Sequence, residues 1–340
     1  MISKIIEIIK KKRIDQVALL FPDLDGNLRV KYVMPEEVLT GHHVSWENGI
    51  SVDGSCIPSF KSLASTDWML IRPDSSKPLL FDWTMDDPDG KTLGFICEIV
   101  NFTRDPRGML MSAQEDAQRF GFIPYAGPKL CASIGKPDDI GDYTPIQNDN
   151  TLKFRQRIVR VLTRMGINIE YHYGKGSSGI DIDFVPKPVT TAADNIAIAK
   201  LAAIEVGKRM DLRVEFSGQP MYTHFSLWKD GQNAFFDPND KHELSGVGKL
   251  FIEGILSKNK SISKFVNPYG YQNGLKTTWS FNRDDSVMQV PMYFIEKKKK
   301  DRIGWSKRCI YKNIYADSNQ YLAFSSIVRA GMKRIARAEH

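Results

Sequence analysis

Two residues able to do chemistry stand close together in MYTHFSLWKDG, residues 221–231. His224 and Ser226 are two positions apart in an aromatic and apolar run, so on a strand both side chains leave one face. An imidazole beside a hydroxyl can hold a ligand, although a strand histidine also serves well as a core hydrogen-bonder. A second candidate is Asp53 in GISVDGSCIPSF, residues 49–60, where a turn-rich loop presents an acid beside a glycine. Such a carboxylate can bind an amine or cap its own loop. A third is the polar turn Asn282–Asp285, where Asn282 and Arg283 offer a donor and a cation to phosphate or carboxylate. Asp284 and Asp285 are the competing partners of that arginine.

The elements that must position these groups are legible from periodicity and breakers. Val214–Phe216 and Met221–Leu227 read as strands divided by the turn Ser217–Pro220, and Lys229–Gly231 ends the second. Apolar residues at 2, 5, 6 and 9 predict an amphipathic first helix with a basic end. Gln16–Phe21 and Asn27–Val33 form a hairpin about Asp23–Gly26, with a short helix at Pro35–Leu39 and further strands at Trp68–Ile71 and Gly94–Val100. From Asp105 onward the texture changes. Helices are predicted over Met111–Phe120, Leu152–Met165, Ala192–Met210, Lys249–Leu256 and Gln320–Ile335. Thr191 is expected to cap the third of these, with Asp194 in its first turn as a dipole-favoured acid. Strands are predicted over Ile123–Ser133, interrupted at Gly127-Pro128, over Asn168–Tyr173, and over the alternating end of GKGSSGIDIDF, 174–184. Trp279–Pro291 reads as a strand pair about the polar turn, and 134–150 as a loop. The expected class is α+β, with a compact first domain at residues 1–105 and a second at 106–340.

Composition narrows the function classes. At 340 residues the chain can bury a large core, and 42% hydrophobic with 26% charged residues is ordinary for a water-soluble globular protein. The net charge of +7 owes much to Lys297–Lys300 and Arg302, a run read as a solvated loop. No aromatic-interleaved basic stripe argues for nucleic acid, and no stretch reaches the ~20 apolar residues of a membrane span. The cysteines at 56, 97, 131 and 309 show neither disulfide nor zinc spacing, which suits a reducing, cytoplasmic setting.

Taken in order, these motifs resemble the glutamine synthetase family over nearly the whole chain. MYTHFSLWKDGQNAFFD is similar to that family's Met-His-x-His-x-Ser-Leu-Trp strand, with the nucleotide-binding histidine and serine present as His224 and Ser226 and the metal-binding histidine replaced by Tyr222. FPDLDGNLRVKYV and GISVDGSCIPSF resemble its small N-terminal β-grasp domain, in which an Asp-Gly-Ser-Ser loop reaches a neighbouring subunit's active site; Asp53 matches the ammonium-binding aspartate. MGINIEYHY, TTAADNIAIAK, NPYG and YLAFSSIVRAG follow its large domain, a curved antiparallel sheet with helices.

That family uses divalent cations to bridge ATP phosphates, held mainly by glutamates. By the same matching, its Glu-x-Glu is here Lys129-x-Cys131, and the glutamate of Gln-x-Glu-Ile-Asp is Gly179 before Ile180-Asp181. The companion glutamate falls near Tyr171, beside Glu170, and the late Arg-x-Glu-x-Arg becomes Arg302-Ile-Gly-Trp-Ser306. The phosphate arginine before Val-Pro is Gln289, and a substrate-arginine segment is cut to Tyr269–Lys276. The replaced positions therefore lead to the expectation that the family's metal set is lost here, with ATP a candidate ligand and magnesium in doubt. It implies a homo-oligomer with shared sites. The leading expectation is a binding, regulatory or scaffold protein. The alternative is a repurposed enzyme, such as a carboxylate–amine ligase or a metal-independent catalyst, with Lys129, Cys131, Tyr171 and Tyr222 as acid-base or nucleophilic groups. Ordinary glutamine synthetase activity is the third.

Overall fold

The computed structural model describes residues 2–40, 47–61, 68–84, 90–134, 150–175, 178–271, 274–281, 285–291 and 306–338. Residues Ile2–Lys12 form helix α1, whose Ile5 and Ile9 are buried and whose last turn is basic, as the spacing predicts. Beneath it lies a six-stranded sheet built from β1 (Gln16–Pro22), β2 (Leu28–Val33), β3 (Ile50–Val52), β4 (Met69–Pro73), β5 (Leu79–Leu80) and β6 (Thr92–Ile99), in the order β2-β1-β6-β4-β3 with β5 also on β6. Helix α2 (Pro35–Leu39) follows β2. Strand β1 is buried on both faces. Val17, Leu19 and Phe21 pack with α1, while Ala18 and Leu20 join the larger apolar core of the remaining chain. The small sheet therefore shares a core with the helices beyond it.

The larger part is a ten-stranded sheet with helices on one face. Its central strand is β7 (Ile123–Ile134), flanked by β8 (Ile169–Lys175), β9 (Gly179–Phe184), β10 (Lys187–Pro188), β11 (Val214–Glu215), β12 (Thr223–Lys229), β13 (Gln232–Asn233), β14 (Lys276–Ser280), β15 (Ser286–Gln289) and β16 (Cys309–Tyr311). The main path is β14-β15-β16-β12-β7-β9-β8. The helices are α3 (Pro106–Arg119), α4 (Asn150–Arg164), α5 (Val189–Lys208), α6 (Gly246–Ser257), α7 (Asn259–Val266) and α8 (Gln320–Ala338). Even-numbered residues of β7 such as Ala126, Leu130 and Ala132 are buried toward the helices, and the register places Phe225 of β12 and Ile182 of β9 on that same face.

Four local expectations are corrected. Strand β7 runs unbroken through Gly127-Pro128, because its ladder passes there from β12, which pairs residues 123–128, to β9, which pairs 129–133. Helix α5 begins at Val189 with Pro188 at the cap position and no side-chain cap; Thr191 instead accepts a hydrogen bond from Lys77 Nζ at 2.7 Å. Asp194 is buried rather than a surface dipole acid. It accepts from Arg107 Nε and Nη2, each at 3.0 Å, and from Tyr321 Oη at 2.9 Å. The same guanidinium reaches Asp74 at 3.0 Å, which ties the loop after β4 to α3, α5 and α8. Strands β14 and β15 pair in parallel, unlike a simple hairpin about 282–285. The predicted loop at 134–150 falls almost wholly outside the described residues.

Candidate functional site

Odd-numbered residues of β7 face away from the helices, and strand register assembles the rest of the site around them. Lys129 stands opposite Asp183 and Cys131 opposite Asp181, while on β8 Tyr171 pairs with Asp183 and Tyr173 with Asp181. Side chains directly opposite on neighbouring strands lie about 5 Å apart, so the alternation of GIDIDF and IEYHY delivers two acids and two phenols to one patch. On the other side of β7, His224 pairs with Gly127 and Ser226 with Tyr125. Gly127 fits that register because a Cβ there would meet Pro186 Cγ at 2.9 Å.

Lys129 is the centre of this patch. Its Nζ donates to Tyr173 Oη at 2.7 Å and lies 3.7 Å from Asp181 Oδ2 and 3.8 Å from Asp183 Oδ2. Both aspartates are almost fully buried, and among the described residues Asp181 Oδ1 and Asp183 Oδ2 have no hydrogen-bond partner. Burial pushes the Asp183 carboxyl up to about 6, against the pull of Lys129. Arg308 approaches the edge of the patch, 3.3 Å from Glu170 Oε2 and 3.5 Å from Tyr171 Oη.

His224 is held neutral. Burial lowers its pKa well below the ordinary histidine range, the cations Arg308 and Lys129 add to this, and its Nδ1 has no partner among the described residues. Ser226 accepts from Trp228 Nε1 at 3.1 Å, so its hydroxyl is already engaged along its own strand. Cys131 is buried, and desolvation followed by the Asp181 charge pushes its thiol well above the usual range. A reactive thiolate does not suit that environment. Burial likewise raises the phenols of Tyr222 and Tyr171. Tyr222 enters the site through its backbone as well, accepting from Lys129 N at 2.8 Å.

Asp53 lies elsewhere. It caps the short 3₁₀ turn Gly54–Cys56, accepting from Ser55 N at 2.9 Å and Ser55 Oγ at 2.6 Å, and the Ser55 hydroxyl bond holds its exposed carboxyl below the usual range. The groove it lines is built from the small sheet alone, with Arg29, Lys31 and Trp68 among its walls. Asn282, Arg283, Lys297–Lys300, Arg302 and Gly304 lie outside the described residues. Asp285 pairs with Lys276 at 2.7 Å.

A divalent cation needs several anionic oxygens converging on one point. Among the described residues no three or more His, Cys, Asp or Glu side chains are so grouped, and the space shared by Asp181 and Asp183 is approached by an ammonium. These residues do not fit the cation set that the family resemblance implies. Sequence reading passed over Asp183, Tyr173 and Arg308. The signal for the first two was the i, i+2 repeat of like polar residues in alternating strands; Arg308 carried none.

Comparison with known proteins identifies the family. Residues 103–339 match the family described as glutamine synthetase, catalytic domain. The glutamine synthetase of Thermotoga maritima is 28% identical over 98% of this chain and 80% of that protein, and that of Clostridium saccharobutylicum 27% identical over 97% and 79%. A solved Plasmodium falciparum glutamine synthetase superposes with a TM-score of 0.84 at 18% identity, covering 99% of this chain and 75% of that one. With matched residues spanning most of its length, the chain belongs to the glutamine synthetase family.

Proposed function

We propose that this family member binds a small polar metabolite on the Lys129–Asp181–Asp183 face without divalent cations, and does not perform metal-assisted amide synthesis. The observation that carries this reading is the Lys129 ammonium, 3.7 and 3.8 Å from the two buried carboxylates. A divalent cation placed about 4 Å from that ammonium would meet roughly 8 kcal/mol of repulsion at an effective dielectric of about 20. Phosphoryl transfer without such ions lacks its main charge stabilisation. The ligand presents a hydrogen-bond acceptor, such as a carboxylate or hydroxyl oxygen, to the partly exposed Lys129 ammonium, which the buried Asp181 and Asp183 hold in place. Neutral His224 offers one acceptor to a nucleotide base or sugar, while Ser226, accepting from Trp228, keeps its O–H to donate.

In this proposal Asp53 completes a site only across a subunit boundary, so the working form is a homo-oligomer of two-part subunits divided near residue 105. A binding, regulatory or scaffold role in small-molecule metabolism follows. A cytoplasmic setting agrees with four unpaired cysteines, and among the described residues no helix is long and apolar enough to cross a membrane. The deciding experiment is calorimetric titration of ATP with magnesium and again with EDTA, beside an assay for ADP formed with amide product. Equal binding in both, without turnover, is expected. Magnesium-dependent binding with turnover overturns the reading, and light scattering that finds only monomer removes the shared site.

A second reading, catalysis in the same patch, is favoured by the 2.7 Å Lys129–Tyr173 hydrogen bond, which could pass a proton. In it Lys129, Tyr171 and Tyr222 act as acid-base groups, and Cys131 stays a thiol. Loss of an established turnover on Lys129→Ala and Tyr173→Phe supports it, and unaltered turnover excludes it.

A further inference from the structure

We infer that a second binding site, for the phosphate chain of a small polyphosphorylated molecule, lies on the outer face of α4. Lys153, Arg157, Arg160 and Arg164 recur at four-, three- and four-residue intervals, which on a helix aligns them along one side. The opposite side, with Phe154, Ile158 and Leu162, is buried in the core and fixes the helix in rotation. The cationic row forms one wall of a groove of ≈ 600 Å³. The 3₁₀ turn Asp82–Thr84 and the end of α5, with Val206 and Arg209, form the others. That volume lies within the range of small-ligand sites.

Among the described residues five cations and one acid line the groove, and ion pairs engage two of the five. Arg164 lies 3.6 Å from Asp82, and Arg209 binds Glu205 at 3.1 Å. The side chains of Lys153, Arg157 and Arg160 make no hydrogen bond or ion pair among the described residues, although all three line the cavity. Like charges one turn apart on a helix repel, so this arrangement is maintained against its own electrostatics until an anion arrives. Residues at i and i+3 lie about 5–6 Å apart at Cβ, and their long stems let two guanidinium forks converge on one phosphate chain. Trp83, stacked on Phe81 with centroids 4.5 Å apart, supplies an aromatic wall and a fluorescent reporter.

This site is separate from the patch around Lys129, and it stands whether or not that patch binds a metabolite. The test titrates inorganic tripolyphosphate, and separately ATP in EDTA, into the full chain while following tryptophan fluorescence and heat. The wild type is expected to bind tripolyphosphate, with affinity falling as salt is raised from about 50 to about 200 mM. R157E/R160E is expected to weaken binding by about tenfold or more, whereas R157K/R160K retains most of it and H224A all of it. Unchanged melting of the charge-reversed variant shows that its fold is intact. Equal affinity for both probes identifies the phosphate chain alone as the ligand feature; tighter binding of ATP with a fluorescence quench that W83F abolishes identifies a nucleotide. Absence of tripolyphosphate binding, or binding that R157E/R160E leaves unchanged, overturns the inference. Binding lost in H224A would assign the anion to the other site and overturn it equally.

Discussion

Replacing Lys129 by Met removes the cation that, among the described residues, lies within 4 Å of both buried aspartates, and the cost is expected to depend on pH in a defined way. In the wild type, the Asp183 carboxyl titrates at about 6 although Lys129 already lowers it. Keeping Asp183 ionised without Lys129 would cost several kcal/mol, as for other broken buried pairs. Protonation offers an escape. Protonating Asp183 costs about 1.4 kcal/mol per pH unit above 6, so this part of the loss cannot exceed about 1.4 kcal/mol near pH 7 or about 2.7 near pH 8. Below pH 6 it vanishes. A pH-independent loss of about 1 kcal/mol accompanies it, from the hydrogen bond to Tyr173. Urea unfolding of wild type and Lys129→Met at equal protein concentration, near pH 5.5, 7 and 8, measures the difference directly. The destabilisation should grow by up to about 1.4 kcal/mol per unit between pH 6 and 8. Adding Asp183→Asn to both proteins should flatten that growth. A difference that is constant from pH 5.5 to 8 would refute the coupling between these groups.

Changing Lys129 to Glu should do the opposite to metal binding, because three carboxylates on adjacent strands would then face one another. Calorimetry with manganese should detect tighter binding than in the wild type, and no gain at millimolar manganese would count against the ammonium as a feature that repels cations. Arg107→Met should destabilise the protein by about 3–5 kcal/mol, since it leaves buried Asp194 without its cation; a melting shift equal to that of a surface arginine would contradict the network's role. Gly331→Ala should cost about 1–3 kcal/mol by overpacking, because a Cβ there collides with the Phe251 ring where α8 crosses α6; thermal melts test it. His224 is neutral in the folded protein and its pKa lies below 6.5, so the unfolded chain takes up its proton first and stability from this group is lost as pH falls below 6.5. Asp183 and Asp105, both raised to about 6, act with the opposite sign between pH 6 and 3.8. His224→Asn should therefore lessen the acid-side loss, and an identical pH profile would exclude a buried neutral imidazole.

Reading the elements worked wherever apolar period and breakers agreed. The spacing 2, 5, 6, 9 gives α1, and Gly166 ends the periodic segment after α4, because burial of one face is a local pattern. Reading failed where a neighbour overruled local preference. Gly127-Pro128 looks like a strand break, yet β7 continues because its partners change there. Asp194 looks like a helix-start acid, yet Arg107, 87 residues away, claims it. The parallel pairing of β14 with β15 was likewise invisible, since register is a property of two strands together.

The site divides along the same line. His224, Ser226, Lys129, Cys131 and Tyr222 were nameable from motif positions, and the strand period alone put each pair on a common face. What they do was decided by contacts. Trp228 engages Ser226, burial keeps Cys131 a thiol, and Asp53 caps its own turn within the small sheet. By itself, then, the sequence determined the elements, the family and which candidate side chains share a strand face, because these follow from local periodicity and ordered motifs. Only the tertiary structure decided that Lys129 sits between Asp181 and Asp183, and that Arg157 and Arg160 line a groove without partners among the described residues. Charge compensation depends on distances between strands and helices, and these exist only once the chain has packed.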